Sequence, residues 1–335
     1  MTNEPTPAPA PIAHLSESGL LERILPALPS SDAVEIGPGD DSAVVRLASP
    51  RLVVSTDTLT EGQDFLLPAT RPEWIGAKAA VQNLADVAAM GARPTALVVA
   101  LSAPGTADVT TLEGISRGLA ARAGRDGAVV VGGDLGAADA LSLTVTALGA
   151  LAEGHAPILR TGARAGDVLA VGSPLLGRSG AGLAWILADR HHEALAADVV
   201  AWHNAPDPRL ELGWTAARRP DGTARASAMI DVSDGLVRDG GRLARRSGVV
   251  IDLDREALAA DVRALVDLAA PLGADPWSWV LHGGEEHAML ATFPADDVPE
   301  GFRPIGVVHR PAAGEEPFIL LDGRTVPGEG FDHFA

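Results

Sequence analysis

Carboxylates beside small or hydroxyl residues recur in this chain at the ends of short apolar stretches. They stand in Gly37-Pro38-Gly39-Asp40-Asp41, Ser55-Thr56-Asp57, Asn83-Leu84-Ala85-Asp86, Gly132-Gly133-Asp134 and Asp231-Val232-Ser233-Asp234. Such groups are hard oxygen donors, and Mg²⁺ takes oxygens, keeps several waters and is readily shared between carboxylates and a polyphosphate. The pattern points to magnesium-dependent phosphate chemistry. Taken singly, an aspartate beside glycine or serine is more often a turn or a helix cap. Five such strand ends in one chain favour a shared acidic site. Asp231 and Asp234 are three apart, so they face one way if a helix starts there. Ser233 with Gly235, and the pair Gly132-Gly133, leave room for backbone to approach an anion.

The usual nucleotide motifs are missing. A P-loop needs a lysine after its second glycine, yet the single lysine of the chain is Lys78, in Gly76-Ala77-Lys78-Ala79. The glycine loop, strand lysine and catalytic loop of protein kinases are also absent. Gly172-Ser173-Pro174-Leu175-Leu176-Gly177 lacks the dinucleotide-binding spacing, and Pro174 interrupts a helix start. Phosphates must therefore be neutralised by metal ions and a few arginines. A formal net charge of -18 argues against nucleic acid or an anionic membrane as partner, and no uncharged apolar run is long enough to span a bilayer. There is no cysteine, which excludes disulfides, thiolate zinc sites and cysteine nucleophiles. The Pro, Ala and Thr-rich start reads as a disordered tail over residues 1–12 of a soluble, cytoplasmic protein, without the basic and apolar segments of a signal peptide.

Strands and helices must alternate to hold these loops. With 335 residues and 47% hydrophobic content the chain can build two domains. Val, Leu and Thr enrichment bounded by Gly, Pro or Asp predicts strands over 51–55, 96–101, 128–131 and 141–148, and helical spacing predicts helices over 72–90 and 109–123. A second set predicts strands at 167–171, 226–230, 249–253, 279–282 and 305–308, with helices at 180–189, 236–247 and 256–268. Asp322-Gly323 between apolar runs predicts a hairpin turn. The expected organisation is an N-terminal α/β domain over 13–153 and a C-terminal α/β domain over 154–335, each carrying part of the aspartate set.

In order and spacing these motifs resemble the thiamine-monophosphate kinase family, within the aminoimidazole-ribonucleotide-synthetase-like superfamily. The resemblance runs from about residue 35 to Gly330-Phe331-Asp332-His333-Phe334, through Gly39-Asp40-Asp41-Ser42-Ala43, Ser55-Thr56-Asp57-Thr58-Leu59 with Glu61-Gly62, and Asn83 to Ala92. It continues through Gly132-Gly133-Asp134, Asp231-Val232-Ser233-Asp234-Gly235-Leu236 and Gly283-Gly284-Glu285. It implies a two-domain α+β fold whose N-terminal domains form a shared barrel in a homodimer, and transfer of the ATP γ-phosphoryl to thiamine monophosphate. It implies Asp41, Ser55, Thr56, Asp57, Asp86, Asp134, Asp231 and Asp234 as ligands of several Mg²⁺ ions, with Asp57, Asp86, Asp134 and Asp231 central to catalysis. Gly133, Asp134, Arg160 and Ser233 are implied as ATP contacts, and Glu285 and Phe331 as substrate contacts.

Two stretches depart from the family pattern. Glu61-Gly62-Gln63-Asp64-Phe65 has Asp64 where a substrate-contacting histidine usually precedes the phenylalanine, and Gly283-Gly284-Glu285-Glu286-His287-Ala288-Met289-Leu290 replaces Gly-Gly-Glu-Asp-Tyr-Glu-Leu. Asp64 thus occupies a substrate-binding position, and an acidic group there is expected to make no direct phosphate contact. The remaining histidines, His191-His192 among them, read as solvated surface. Another ATP-dependent synthetase of the superfamily and a nucleotide-binding sensor without turnover are the alternatives. The selenophosphate branch is disfavoured because its reactive cysteine cannot exist here.

Overall fold

The computed structural model describes residues 11–38, 42–219, 221–312, 316 and 318–327. Asp40, Asp41, Phe331 and most of the tail expected over 1–12 lie outside the described residues. The chain forms two compact units that each draw on separated segments. The first takes the residues up to Arg46, Thr56–Ala80 and Ala96–Thr146; the second takes Leu47–Ser55, Val81–Thr95 and the chain from Ala147 onward.

The N-terminal half runs α1 (Glu17–Ile24), β1 (Val34–Ile36), β2 (Val44–Val45), β3 (Leu52–Thr60), α2 (Pro72–Ala89), β4 (Arg93–Ala103), α3 (Val109–Arg125), β5 (Val129–Ala137) and β6 (Ser142–Ala150). Strands β3, β6, β4 and β5 make a four-stranded sheet in that order, with β4 and β5 parallel and Ala100 opposite Asp134. Asp108 caps α3 by accepting the Thr110 N–H at 2.9 Å. The helices α2 and α3 meet at glycines. A Cβ on Gly118 would lie 1.9 Å from the Glu73 carbonyl oxygen, and one on Gly76 would lie 2.0 Å from that of Ile115. Only hydrogen at these positions permits so close an approach of two backbones.

The C-terminal half runs β7 (Asp167–Val171), α4 (Arg178–Leu187), α5 (Ala197–Asn204), β8 (Ala228–Asp231), α6 (Leu236–Ser247), β9 (Val250–Leu253), α7 (Arg255–Ala269), α8 (Pro276–His282), β10 (Met289–Pro294), β11 (Arg303–His309), β12 (Ile319–Leu321) and β13 (Arg324–Thr325). Its seven-stranded sheet has the order β13-β12-β9-β11-β7-β10-β8. The register sets Met289 opposite Asp231, which carries the end of β8 to the start of β10. Strands β12 and β13 form the hairpin expected around Asp322-Gly323. The stretch 279–282, expected as a strand, is instead the last turn of α8. Asp275 accepts the Trp277 N–H at 3.0 Å and Pro276 fills the first helical turn, so a capping signal outweighs the apolar run. No helix among the described residues is long and apolar enough to cross a membrane.

Candidate active site

Strand β8 buries Ala228, Met229 and Ile230 and delivers Asp231 to the sheet end, where it is 4% exposed. The chain then turns through Val232, Ser233 and Asp234 into α6. Gly235 has φ 113°, and a Cβ there would lie 2.7 Å from the His282 carbonyl oxygen, so the turn requires glycine. Asp239, one turn into α6 and fully buried, accepts the backbone N–H groups of Ser233 at 3.0 Å and Asp234 at 2.8 Å. Its other oxygen accepts from Arg242 at 2.7 Å, and Arg242 also reaches Asp234 at 2.5 Å. Burial first, and then the Asp231 and Asp234 carboxylates, push the Asp239 pKa up to about 7, against the opposing pull of the Asp234 N–H and Arg242.

The Gly283-Gly284-Glu285 loop packs against this turn. A Cβ on Gly284 would lie 2.6 Å from the Ser233 carbonyl oxygen. Glu285 (φ 59°) donates its backbone N–H to Ser233 at 2.7 Å, and His287 (φ 50°) donates its own to Val232 at 2.8 Å. Left-handed backbone at two non-glycine residues costs roughly 1–3 kcal/mol apiece and marks a loop held by its surroundings. The side chains turn to separate partners. Glu285 meets the His203 ring at 3.3 Å, and His287 meets Asp231 at 3.1 Å. Between them Glu286 is fully buried and accepts from the Ser179 N–H at 2.8 Å and from Trp202 at 3.0 Å, while burial raises its pKa. Arg178 lies over the Trp202 ring at 3.1 Å from its centre.

On β3, Ser55 donates its hydroxyl to Asp86 of α2 at 2.5 Å. The Thr56 hydroxyl is spent on the Val145 carbonyl at 3.0 Å, and Asp57, half-buried, accepts the N–H of Thr58 at 3.1 Å. Asp134 is exposed on β5. Its neighbour Gly133 has a steric reason to be glycine, since a Cβ would sit 1.9 Å from the Val99 carbonyl oxygen. Asp64 accepts the Thr60 N–H at 2.7 Å, and its own carbonyl receives the Lys78 ammonium at 2.8 Å. Arg160 is exposed, and its carbonyl accepts from the Ser247 hydroxyl at 3.1 Å.

Residues 39–151 match the family model for the N-terminal domain of AIR synthase related proteins. The thiamine-monophosphate kinase of Mycobacterium tuberculosis is 43% identical over 319 residues, which is 95% of this chain and 91% of that one. The enzyme of the same name from Corynebacterium glutamicum is 42% identical over 86% of this chain and 85% of its own. The chain belongs to the thiamine-monophosphate kinase family. The solved thiamine-monophosphate kinase of Stenotrophomonas maltophilia superposes with a TM-score of 0.76 at 30% identity, covering 93% of this chain and 98% of that one. The structure described as AaThiL complexed with AMPPCP and TMP gives a TM-score of 0.75 at 30% identity, over 96% and 98%. The hydrogenase maturation protein HypE shares the fold alone, at 21% identity and a TM-score of 0.67 over 90% and 88%. The fold is therefore the mixed α/β, two-domain fold of the AIR-synthase-related proteins.

A kinase of this family has to hold a polyphosphate, and the donor chemistry here fits magnesium. Every candidate ligand is an oxygen. Burial first, and then the crowding of Asp231 and Asp234, raises the pKa of Asp239. Among the described residues no three His, Asp or Glu side chains converge into a closed metal cage. Mg²⁺ does not need one, because water and substrate phosphate complete its shell around one or two carboxylates.

Sequence reasoning missed several residues that pack against these turns. His203 is not solvated surface: it is 5% exposed and its ring also meets the Ser179 hydroxyl at 3.0 Å. The reason is local, since α5 sets it against the start of α4, where a Cβ on Gly182 would lie 2.7 Å from the His203 Cβ. Asp239 and Arg242 carried a signal, because their spacing of three on α6 suits a pair on one helix face. Ser233 was expected to offer the ligand its backbone environment, yet its N–H is already taken by Asp239.

Proposed function

We propose that this chain, as a member of the thiamine-monophosphate kinase family, makes thiamine diphosphate by moving the γ-phosphoryl of ATP directly to the phosphate of thiamine monophosphate. An oxygen of the acceptor phosphate forms the new bond to the γ-phosphorus while the bond to the β,γ-bridging oxygen breaks, and ADP leaves with that oxygen. The acceptor phosphate is already ionised near neutral pH, so the step needs no strong general base. The obstacle is the repulsion between two anions.

The observation that carries this reading is the Asp231-to-Asp239 turn, where carboxylates are crowded and pinned rather than dispersed into solvent. Asp41, Ser55, Thr56, Asp57, Asp86, Asp134, Asp231 and Asp234 are the proposed magnesium ligands, with Asp57, Asp86, Asp134 and Asp231 carrying most of the effect. When bound there, Mg²⁺ would screen the two phosphates from each other and stabilise charge on the group in transfer. The chain's own contribution is to fix its ligands beforehand. The Ser55 hydroxyl holds one oxygen of Asp86, and Asp239 holds the backbone N–H groups of Ser233 and Asp234. Ser233, Gly133, Asp134 and Arg160 are the proposed ATP contacts, where Arg160 would add a forked contact to phosphate. Glu285 and Phe331 are the proposed contacts to the thiamine part, and Asp64 stands at the acceptor side without touching phosphate.

We assign ATP and magnesium binding and dimerisation to an N-terminal domain over 13–153, followed by a C-terminal α/β domain over 154–335. The four-stranded sheet leaves Leu52, Val54 and Val98 exposed, and pairing of two copies through a shared barrel would cover them. The test follows ADP formation with purified protein, ATP and thiamine monophosphate. EDTA should abolish turnover, Mg²⁺ should restore it, and Asp57→Asn should lower kcat by about two orders of magnitude or more while the circular dichroism spectrum is unchanged. Full turnover without a divalent metal, or near-parental turnover in that variant, would refute the arrangement.

A further inference from the structure

Asp231, at the end of β8, and His287, in the loop just before β10, form a buried pair. Asp231 is 4% exposed and His287 is 2% exposed. The imidazole Nδ1 stands 3.1 Å from Asp231 Oδ2, and the His287 backbone N–H donates to the Val232 carbonyl at 2.8 Å. One residue therefore holds the 231–232 segment through both its ring and its main chain. That double hold requires φ 50° at His287, a left-handed conformation that a β-carbon disfavours. The pairing of Met289 with Asp231 fixes the register that brings the two together.

The direction of the bond follows from the groups. An ionised carboxylate only accepts, so Nδ1 must carry the proton, as the Nδ1–H tautomer or as imidazolium. The bond engages Oδ2 and leaves Oδ1 to another partner. The neighbouring carboxylates have a different counter-charge, since Asp234 and Asp239 both take Arg242. A carboxylate this deeply buried is costly unless it is hydrogen-bonded.

We propose that His287 is a positioning residue for Asp231, fixing its rotamer so that Oδ1 is left for a cation. The inference rests on the magnesium role assigned to Asp231 above. Partners that orient a metal ligand in this way are worth about 10–100-fold in metal affinity.

The test measures Mn²⁺ binding by electron paramagnetic resonance in the presence of a non-hydrolysable ATP analogue, so no turnover is involved. In His287→Ala the Mn²⁺ dissociation constant should rise about tenfold or more, while the KM for thiamine monophosphate should move less than about twofold. His287→Asn keeps an N–H donor close to the Nδ1 position and should recover most of the loss. Parental Mn²⁺ affinity in His287→Ala overturns the proposal, as does a folded His287→Asn that binds no better than the alanine variant. A measurement on the unmodified protein guards against an alanine variant that does not fold. Nitrogen NMR of histidine-labelled enzyme should show a protonated Nδ1 at His287, and a bare Nδ1 overturns the proposal. Asp231→Asn separates the two levels of the argument. If it binds Mn²⁺ normally the magnesium assignment fails, whereas loss there with no effect in His287→Ala removes the positioning role alone.

Discussion

Asp239 holds the amide of Asp234 at 2.8 Å with the same oxygen that takes the Ser233 amide at 3.0 Å, and so a helical residue caps the loop that opens its own helix. The consequence is a turn whose two candidate magnesium ligands, Asp231 and Asp234, are set before any ligand arrives. Asp239→Ala leaves two backbone donors without that acceptor, each costing about 1–3 kcal/mol. Chemical denaturation of the variant should show a loss of that order. Asp239→Asn retains one oxygen able to accept both amides and should lose less. Equal losses in the two variants would mean that the charge on Asp239, rather than the two amide bonds, holds the turn.

Asp64 is committed to the chain itself. Its carboxylate accepts the Thr60 N–H at 2.7 Å, and its carbonyl holds Lys78, which is 1% exposed. Asp64→Ala should therefore change the KM for thiamine monophosphate less than tenfold, below about 1.4 kcal/mol. Stability should fall by about 1 kcal/mol for the lost hydrogen bond. Steady-state kinetics beside thermal melts check both. A much larger KM effect with unchanged stability would make Asp64 a substrate ligand.

What could be read in the sequence was local. Asp231 and Gly235 stand beside residues that reveal their role, because turn chemistry is written within a few positions of itself. The Asp322-Gly323 hairpin was visible for the same reason. Stretch 279–282 misled because its apolar composition says nothing of period, while the deciding residues, Asp275 and Pro276, precede it. His203 and Glu286 could not be found this way, since their partners Glu285 and Ser179 are distant in sequence and meet through tertiary packing. The grouping of Leu47–Ser55 and Val81–Thr95 with the chain beyond Ala147 is likewise a property of the folded chain, with no shift in composition to announce it.

Gly118 allows α3 to touch α2 along the backbone. A Cβ there would lie 1.9 Å from the Glu73 carbonyl oxygen, which belongs to a helix and cannot step aside as a side-chain tip can. Gly118→Ala should destabilise the protein by about 1–3 kcal/mol or more, despite the better helix propensity of alanine. Gly124→Ala in the same helix meets nothing within 4 Å among the described residues and serves as the control, expected to be neutral or stabilising. Urea titration of the two variants reads the difference directly. Equal behaviour would show that α2 and α3 have slack at this contact.

Asp261 supplies a pH dependence whose sign can be worked out. It is 1% exposed, and one oxygen accepts from the Leu176 N–H at 2.7 Å and from Arg303 at 2.7 Å, while the other, Oδ2, is buried without a hydrogen-bond partner among the described residues. Burial is the largest influence and raises its pKa, outweighing the stabilising pull of Leu176 and Arg303. In the unfolded chain the same carboxyl titrates near an ordinary value of about 3.9. Between the two pKa values the folded state binds more protons than the unfolded state, so stability falls as pH rises across that window. The contribution is fully present below the unfolded pKa and is lost once the pH passes the folded one. Asp261→Asn is neutral throughout and keeps an oxygen for Leu176, so the difference in melting temperature between variant and parent should shift in favour of the variant from pH 4 upward. It should level off above the folded pKa. Thermal melts of both proteins in matched buffers measure it, and parallel curves across the range would show that the Arg303 pair holds the folded carboxyl at its unfolded pKa.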